Sequence, residues 1–323
     1  MMTLKKIAFL TPSLPSLRIQ MQELLPEGFS IDFAAANEKE CHRAILKDAD
    51  YVFLGASYLD EDLIQSAPRL KMIQKWGIGV DKIDLKAAAK RGIPVAITNG
   101  SNAAQVAEHA LLLMLATLRK FSYAQKSFYA GKWINTELRT TCLQLTGKTV
   151  GLFGFGNIAR QVAKQLQGFD AQIIYYSRRQ AAPEIERQYN ARYVDFETLL
   201  KQSDILSLHA PYNDQTREII QRESLMMMKP TAIIINTARG ELIEEAALVQ
   251  ALQEQRIFGA GLDVFVNEPP SMTNPLFSLD NVVLTPHAAA SVKEAVTKIV
   301  QHGFHNIACF EKGQALDPAD LVA

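Results

Sequence analysis

Val150-Gly151-Leu152-Phe153-Gly154-Phe155-Gly156-Asn157-Ile158-Ala159 runs from an apolar strand pattern into two closely spaced glycines and then into a helical pattern. Glycine lets the chain turn sharply there and lets a phosphate approach the amides that open the helix. Ala159 stands where a third glycine is more usual, and a methyl is tolerated because close helix–sheet packing is the need at that point. Taken alone, a G-x-G-x-x-A turn is also ordinary punctuation in an α/β sheet. Here it follows a strand and opens a helix, the context a dinucleotide site requires. Gly154, Gly156, Asn157 and Ile158 are therefore candidate cofactor contacts.

Outward from this turn the chain alternates short apolar runs with longer amphipathic ones, the pattern of parallel α/β sheets. Downstream, strands are predicted at 149–153, 173–176, 205–209, 232–236, 260–263 and 282–285. These six fit one doubly wound (Rossmann) sheet. Upstream, strands are predicted at 6–10, 31–34, 51–54, 72–74 and 95–97, with a helix at 81–91 closed by Gly92 and Pro94. A long apolar helix follows at about 103–118. The aromatic stretch 121–145 lacks a clean period and reads as an arm that packs on another subunit. A last helix, about 291–311, is placed back on the first domain. The expected plan is a discontinuous, smaller flavodoxin-like α/β substrate domain, 1–101 with 290–323, into which a dinucleotide-binding domain, 102–289, is inserted.

Of the 323 residues 48% are apolar and 21% charged, an ordinary globular balance. Lys+Arg and Asp+Glu are equal at 34 each, so no net field recruits nucleic acid or an anionic membrane. The longest apolar stretch, 110–118, is too short to cross a bilayer, and a cytoplasmic protein is expected. Cys41, Cys142 and Cys309 are sparse and widely spaced, which suits inert buried thiols rather than a disulfide framework or a metal site. His42, His302 and His305 fall in predicted helices outside the motifs. The 302/305 pair reads as helix surface, so no metal is expected.

The strand predicted at 173–176 ends in Ser177-Arg178-Arg179, where an acidic residue would otherwise hold the adenine ribose. A carboxylate repels a 2′-phosphate, whereas a hydroxyl and guanidinium groups attract it. The same three residues also fit a solvated basic turn, but the cofactor expected is NADP, in preference to NAD.

Reducing a 2-oxo acid needs an anchored carboxylate, a polarised carbonyl and a delivered proton. An arginine serves the first two and a histidine the third, its protonated form favoured by a nearby carboxylate. Candidates at predicted late strand ends are Arg239 in Asn236-Thr237-Ala238-Arg239-Gly240, Glu268 in Asp263-Val264-Phe265-Val266-Asn267-Glu268-Pro269, and His287 in Thr285-Pro286-His287-Ala288-Ala289. Singly, each fits a surface or turn position. Together they closely resemble the D-isomer-specific 2-hydroxyacid dehydrogenase family. The likeness covers nearly the whole chain. It extends through Gly77-Ile78-Gly79-Val80-Asp81-Lys82-Ile83-Asp84, Val106-Ala107-Glu108-His109, Leu208-His209-Ala210-Pro211 and Gly261-Leu262-Asp263-Val264-Phe265.

The resemblance implies roles. Arg239 binds the substrate carboxylate and carbonyl, His287 is the acid/base, and Glu268 is its partner. Backbone amides of Ile78 and Gly79 help hold the carboxylate, in a substrate loop that includes Trp76 and Gly77. Asp263 orients the nicotinamide carboxamide. His209, Ala210 and Pro211 line the adenosine side, and Thr216 and Thr237 join the cofactor contacts. A two-domain plan and a homodimer made through the cofactor domain are implied as well.

Trp76 is expected to narrow the pocket toward small substrates such as glyoxylate or hydroxypyruvate. Lys75 stands where phosphoglycerate-oxidising relatives tend to carry a basic residue, so a 3-phosphoglycerate dehydrogenase is the alternative. It also fits an exposed strand-end lysine. A dinucleotide-sensing interaction protein is the alternative of another class, and the intact Arg239, Glu268 and His287 set argues against it.

Overall fold

The computed structural model describes residues 4–322. They form two compact units, one spanning Ala103–Ser291 and one made of the described residues up to Asn102 together with those from Val292 onward.

The smaller unit carries strands β1 (Lys5–Phe9), β2 (Phe29–Phe33), β3 (Tyr51–Leu54), β4 (Met72–Lys75) and β5 (Val95–Ala96). They pair in parallel in the order β2-β1-β3-β4-β5, the flavodoxin-like arrangement. Alternate strand residues enter two apolar clusters, one on each face. Ala8, Leu10, Val52 and Leu54 lie in one, and Ile7, Phe9, Tyr51 and Phe53 in the other. Burial on both faces explains why these strands read as continuous apolar runs. The second cluster is closed by Ile299, Val300, Phe304 and Ile307 of the helix Lys293–Glu311. Gly303 marks the closest approach, since a Cβ there would meet Phe53 Cζ at 2.6 Å.

The larger unit carries β6 (Thr149–Phe153), β7 (Gln172–Tyr176), β8 (Ala191–Tyr193), β9 (Ile205–Leu208), β10 (Ile233–Asn236), β11 (Gly259–Leu262) and β12 (Val282–Leu284). Their order is β12-β11-β10-β9-β6-β7-β8 and all are parallel. This is a doubly wound sheet whose order reverses between β6 and β9, so the crevice for a ligand opens at the carboxyl ends of those strands. The sheet has seven strands, not the six predicted. The extra one, β8, is three residues long, pairs only with β7, and is too short for a periodic signal.

Three further expectations are corrected. The stretch 121–145, which shows no clean period in sequence, is not irregular, because it holds the helices Phe121–Tyr129 and Asn135–Thr141. Both are short, and Gly131 lies in the break between them, which obscures the helical period in sequence. The helix predicted at 81–91 is confined to Leu85–Lys90, capped by the Asp84 side chain on Ala87 N. The three cysteines are half-exposed free thiols rather than buried ones, and Cys309 Sγ lies 3.5 Å from His305 Nε2 one turn earlier on its helix. No helix among the described residues is long and apolar enough to cross a membrane.

Candidate active site

Strand ends of the larger unit carry the three candidate catalytic side chains. β10 ends at Asn236, which is 1% exposed and clasps the loop that follows. Its Nδ2 donates to Arg239 O at 2.8 Å, and its Oδ1 accepts from Ala238 N at 3.0 Å. Arg239 is half-buried, with Nη1 donating to Ala238 O at 2.7 Å. At Gly240 a Cβ would overlap the backbone of Phe265 and Val266. The Arg239 loop therefore rests directly on the segment leading to Glu268.

Glu268 Oε1 accepts from Phe265 N at 3.3 Å, which turns its carboxylate back toward the sheet. His287 Nδ1 lies 2.9 Å from Oε1 and 2.8 Å from Oε2 of Glu268. A carboxylate is an acceptor, so Nδ1 carries a proton in this pair and Nε2 is the nitrogen left to exchange one. His287 has φ +51°, the left-handed region that non-glycine residues rarely occupy. The surrounding bonds hold it there. His287 N donates to Asp263 O at 2.8 Å, while Ala288 N and Ala289 N donate to the two Asp263 oxygens at 2.8 Å each. Thr285 Oγ1 donates to Asp263 Oδ1 at 2.6 Å, and His109 Nε2 sits 2.9 Å from Thr285 Oγ1.

The Asp263 side chain is 0% exposed. Burial pushes its carboxyl up, but His109 beside it and the bonds from Thr285, Ala288 and Ala289 outweigh that and hold it below the usual value. Both oxygens are thus engaged inside the protein. Neither His109 nor Thr285 was singled out from sequence for this role. The available signal was helical spacing, which puts His109, Leu113 and Thr117 on one face.

The residues around the glycine turn suit a nicotinamide dinucleotide. Gly154 has φ +93°, and a Cβ there would meet the backbone of His209 and Ala210 at 2.8 Å. A Cβ at Gly156 would meet nothing within 4 Å, which leaves room above the start of the helix Asn157–Leu166. No side chain caps that helix, so its first amides face that space as donors for a pyrophosphate. Ala159 is fully buried against the sheet. Thr237 Oγ1 is buried without a hydrogen-bond partner among the described residues.

His209 Nε2 bonds to Ser207 Oγ at 2.9 Å, and burial pushes its imidazole down to about 4, so it is neutral at pH 7. Thr216 Oγ1 closes its own loop by donating to Pro211 O at 2.8 Å. Ser177 Oγ donates to Arg179 O at 2.6 Å and fixes the turn after β7. Arg178 and Arg179 are exposed, and neither has an acidic partner among the described residues.

In the smaller unit Gly77 has φ +88° and starts the loop after β4, with Gly77 N donating to Thr98 Oγ1 at 2.8 Å. Ile78 is exposed and Gly79 half-buried. The Trp76 ring packs on Phe9 and Phe53, centroids 5.9 and 5.6 Å away. Lys75 is only 8% exposed and its Nζ donates to Gly55 O, so the exposed strand-end reading does not hold. His302 is not a plain surface residue either. It bridges Ser101 Oγ and Asp320 Oδ2, at 2.6 Å each. His42 lies in the helix Lys39–Leu46 and is 3% exposed. Among the described residues no group of three or more His, Cys, Asp or Glu side chains is placed to hold a metal ion.

Comparison with known proteins agrees with this geometry. Residues 111–289 match the model of the NAD binding domain of D-isomer specific 2-hydroxyacid dehydrogenases. A glyoxylate reductase of Thermococcus litoralis is 42% identical over 84% of this chain and 82% of its own length. A hydroxypyruvate reductase of Thermotoga maritima is 43% identical over 81% of this chain and 85% of its own. A D-3-phosphoglycerate dehydrogenase of Archaeoglobus fulgidus is 39% identical over 80% of this chain, which spans 49% of that longer protein. Among solved structures, an acyclic imino acid reductase in complex with NADPH and D-Arg superposes with a TM-score of 0.84 at 29% identity, covering 98% of this chain and 100% of that one. The chain belongs to the D-isomer specific 2-hydroxyacid dehydrogenase family. It is an oxidoreductase of that class, dependent on a nicotinamide dinucleotide.

Proposed function

We propose that the chain reduces a small 2-oxo acid of the glyoxylate or hydroxypyruvate type to its D-2-hydroxy acid, in the cytoplasm and as a homodimer. The observation that carries the chemistry is the contact of His287 Nδ1 with both oxygens of Glu268. It fixes the imidazole and commits Nε2 to proton exchange. Arg239 grips the substrate carboxylate and polarises the carbonyl with its planar fork of donors. His287 delivers a proton from Nε2 to the carbonyl oxygen as negative charge develops there. A bound nicotinamide dinucleotide, held by the glycine turn, would supply hydride chemistry to this site. Trp76, which packs on Phe9 and Phe53 in the smaller unit, is the residue this reading assigns to limiting the size of the substrate side chain. Asp263 accepts Ala288 N and Ala289 N and so orders the loop carrying His287, beside its role in orienting the nicotinamide carboxamide.

Preference for NADP over NAD rests on Ser177, Arg178 and Arg179, whose two guanidinium groups are exposed and lack acidic partners among the described residues. Gly154, Gly156, Asn157 and Ile158 cradle the pyrophosphate. His209, Ala210, Pro211 and Thr216 line the adenosine side, and Thr237 faces the cofactor with its unpartnered hydroxyl. On this reading the larger unit is the cofactor domain and the smaller one the substrate domain. Exposed Phe128, Tyr129 and Trp133 on the larger unit support the dimer. One observation favours a second substrate class. Lys75 lies at the carboxyl end of β4, the position where a basic residue would suit a phosphorylated 2-oxo acid, although its Nζ also donates to Gly55 O.

The deciding experiment assays the purified chain with glyoxylate, hydroxypyruvate and 3-phosphohydroxypyruvate, each with NADPH and NADH. The highest kcat/KM is expected for glyoxylate or hydroxypyruvate with NADPH. A higher value for 3-phosphohydroxypyruvate moves the assignment to the phosphorylated substrate. No turnover of any of the three overturns the reading.

A further inference from the structure

The helix Ala103–Leu118 lies unusually close to β11, and the reason is compositional. A Cβ on Gly261 would meet Leu113 Cβ at 2.9 Å and Thr117 Oγ1 at 3.0 Å, and one on Gly259 would meet Thr117 Cγ2 at 3.0 Å. Residues 109, 113 and 117 share one helix face, and residues 259, 261 and 263 share one strand face. With glycine at 259 and 261 the two faces meet directly, and the next pair in the series is His109 against Asp263. His109 Nε2 is 3.4 Å from Asp263 Oδ1 and 2.9 Å from Thr285 Oγ1.

Proton counting gives this contact a direction. Thr285 has one hydroxyl proton, and it goes to the ionised Asp263 at 2.6 Å. Thr285 Oγ1 therefore accepts from His109, so Nε2 of His109 carries a proton. A chain of donors runs from His109 to Thr285 to Asp263, and Asp263 in turn receives Ala288 N and Ala289 N on either side of its carboxylate. Three of the bonds around the left-handed turn at His287, from Thr285 Oγ1, Ala288 N and Ala289 N, converge on this one buried carboxylate, while His287 N donates to the main-chain O of Asp263. Without a donor from His109, Thr285 can rotate its hydroxyl proton away from Asp263, and the carboxylate loses the bond that sets its orientation.

We propose that His109 is a positioning residue for the acid/base. Acting through Thr285 and Asp263, it fixes the loop 285–289 so that His287 meets Glu268 and the carbonyl oxygen of the substrate together. This rests on His287 being the acid/base, as argued above. A displacement of about 1 Å at a reacting group can cost on the order of 100-fold in rate.

The test compares His109→Leu, His109→Gln, Thr285→Val, the double variant His109→Leu/Thr285→Val, and His287→Ala. Each is made in the full chain, with kcat and KM measured for glyoxylate and hydroxypyruvate and with melting temperature recorded. His109→Leu should lower kcat at least about tenfold with KM within about twofold, because Arg239 still grips the carboxylate. His109→Gln, whose Nε2 can reach the same hydroxyl, should recover most of that loss. The double variant should be no worse than the poorer single one, since both changes cut the same chain. Wild-type kcat in His109→Leu alongside an inactive His287→Ala overturns the proposal and leaves the acid/base assignment standing. Additive losses in the double variant overturn it too, as does a His109→Gln as impaired as His109→Leu. An active His287→Ala overturns the acid/base assignment itself, and the proposal with it.

Discussion

Nδ1 of His287 is within 2.9 Å of both carboxylate oxygens of Glu268, although the two residues lie on separate loops after β11 and β12. The bond selects the tautomer and leaves Nε2 as the working nitrogen. His287→Ala is therefore expected to lower kcat by about 10²–10⁴-fold, the usual contribution of positioned proton transfer. Glu268→Gln keeps an acceptor but removes the charge, and should fall between wild type and His287→Ala. Arg239→Ala should raise KM as well as lower kcat, because the substrate carboxylate loses its partner. Steady-state kinetics separate the three. A His287→Ala enzyme with near-wild-type reduction would refute the assignment.

Gly240 makes a different prediction, one of placement. An added methyl would collide with the backbone of Phe265 and Val266, and backbone cannot swing aside as a side chain can. Gly240→Ala should push the Glu268 segment away from the Arg239 loop. Activity is expected to drop at least about tenfold, while the chain still binds NADPH at the distant Gly154–Gly156 turn. Fluorescence titration of NADPH alongside kcat measures both. Unchanged kcat would show that the two loops move independently.

The sheets and the glycine turn were legible because burial on both faces makes parallel strands continuous apolar runs, as in Ile233-Ile234-Ile235. Arg239, Glu268 and His287 stand out from their places after predicted strands only as candidates, and their roles come from the resemblance to the family. β8 was not, since three residues at a sheet edge carry no period. The layer behind the site was also hidden. His109 is about 150 residues from Asp263 in the chain, and only the Gly259–Gly261 approach of helix to strand brings them together. Trp76 and Lys75 were noted as pocket residues, but the packing of one on Phe9 and Phe53 and the burial of the other depend on neighbours that local pattern does not reveal.

Cofactor choice should follow the turn after β7. Each charge-assisted hydrogen bond to a 2′-phosphate contributes roughly 1.5–3 kcal/mol. The double variant Arg178→Ala/Arg179→Ala is thus expected to raise the KM for NADPH at least about tenfold and leave that for NADH within about twofold. Wild-type kcat/KM higher with NADH than with NADPH would end the NADP assignment.

Assembly can be tested at the aromatic cluster of the larger unit. Phe128, Tyr129 and Trp133 are 61%, 78% and 80% exposed, more apolar ring surface than a lone chain gains by showing to water. In a two-fold dimer this face would be buried. Tyr129→Asp/Trp133→Asp should convert the dimer to a monomer by light scattering at micromolar concentration. A wild-type chain that already runs as a monomer would rule the dimer out.

The last prediction concerns acid stability. Glu311 ends the helix Lys293–Glu311 and is the acceptor for Tyr51 Oη, for Lys71 Nζ at 2.9 Å and for Lys5 Nζ at 3.1 Å. Burial pushes its carboxyl up, but these donors prevail and hold it down to about 2, against an ordinary value of 4.5. The folded state therefore binds this proton less readily than the unfolded one. The resulting stabilisation is complete above about 4.5 and is lost as the pH falls through about 2. Glu311→Gln is expected to lower Tm by about 2–4 °C at pH 7, a change on the scale of one lost interaction in a chain of this size. The gap between variant and wild type should stay constant down to about pH 5 and then narrow toward pH 3, as the wild-type carboxylate begins to protonate in the unfolded chain. Thermal melts at half-unit pH steps measure it. A gap that persists unchanged at pH 3 would mean that Glu311 stabilises the helix end by packing rather than by its charge.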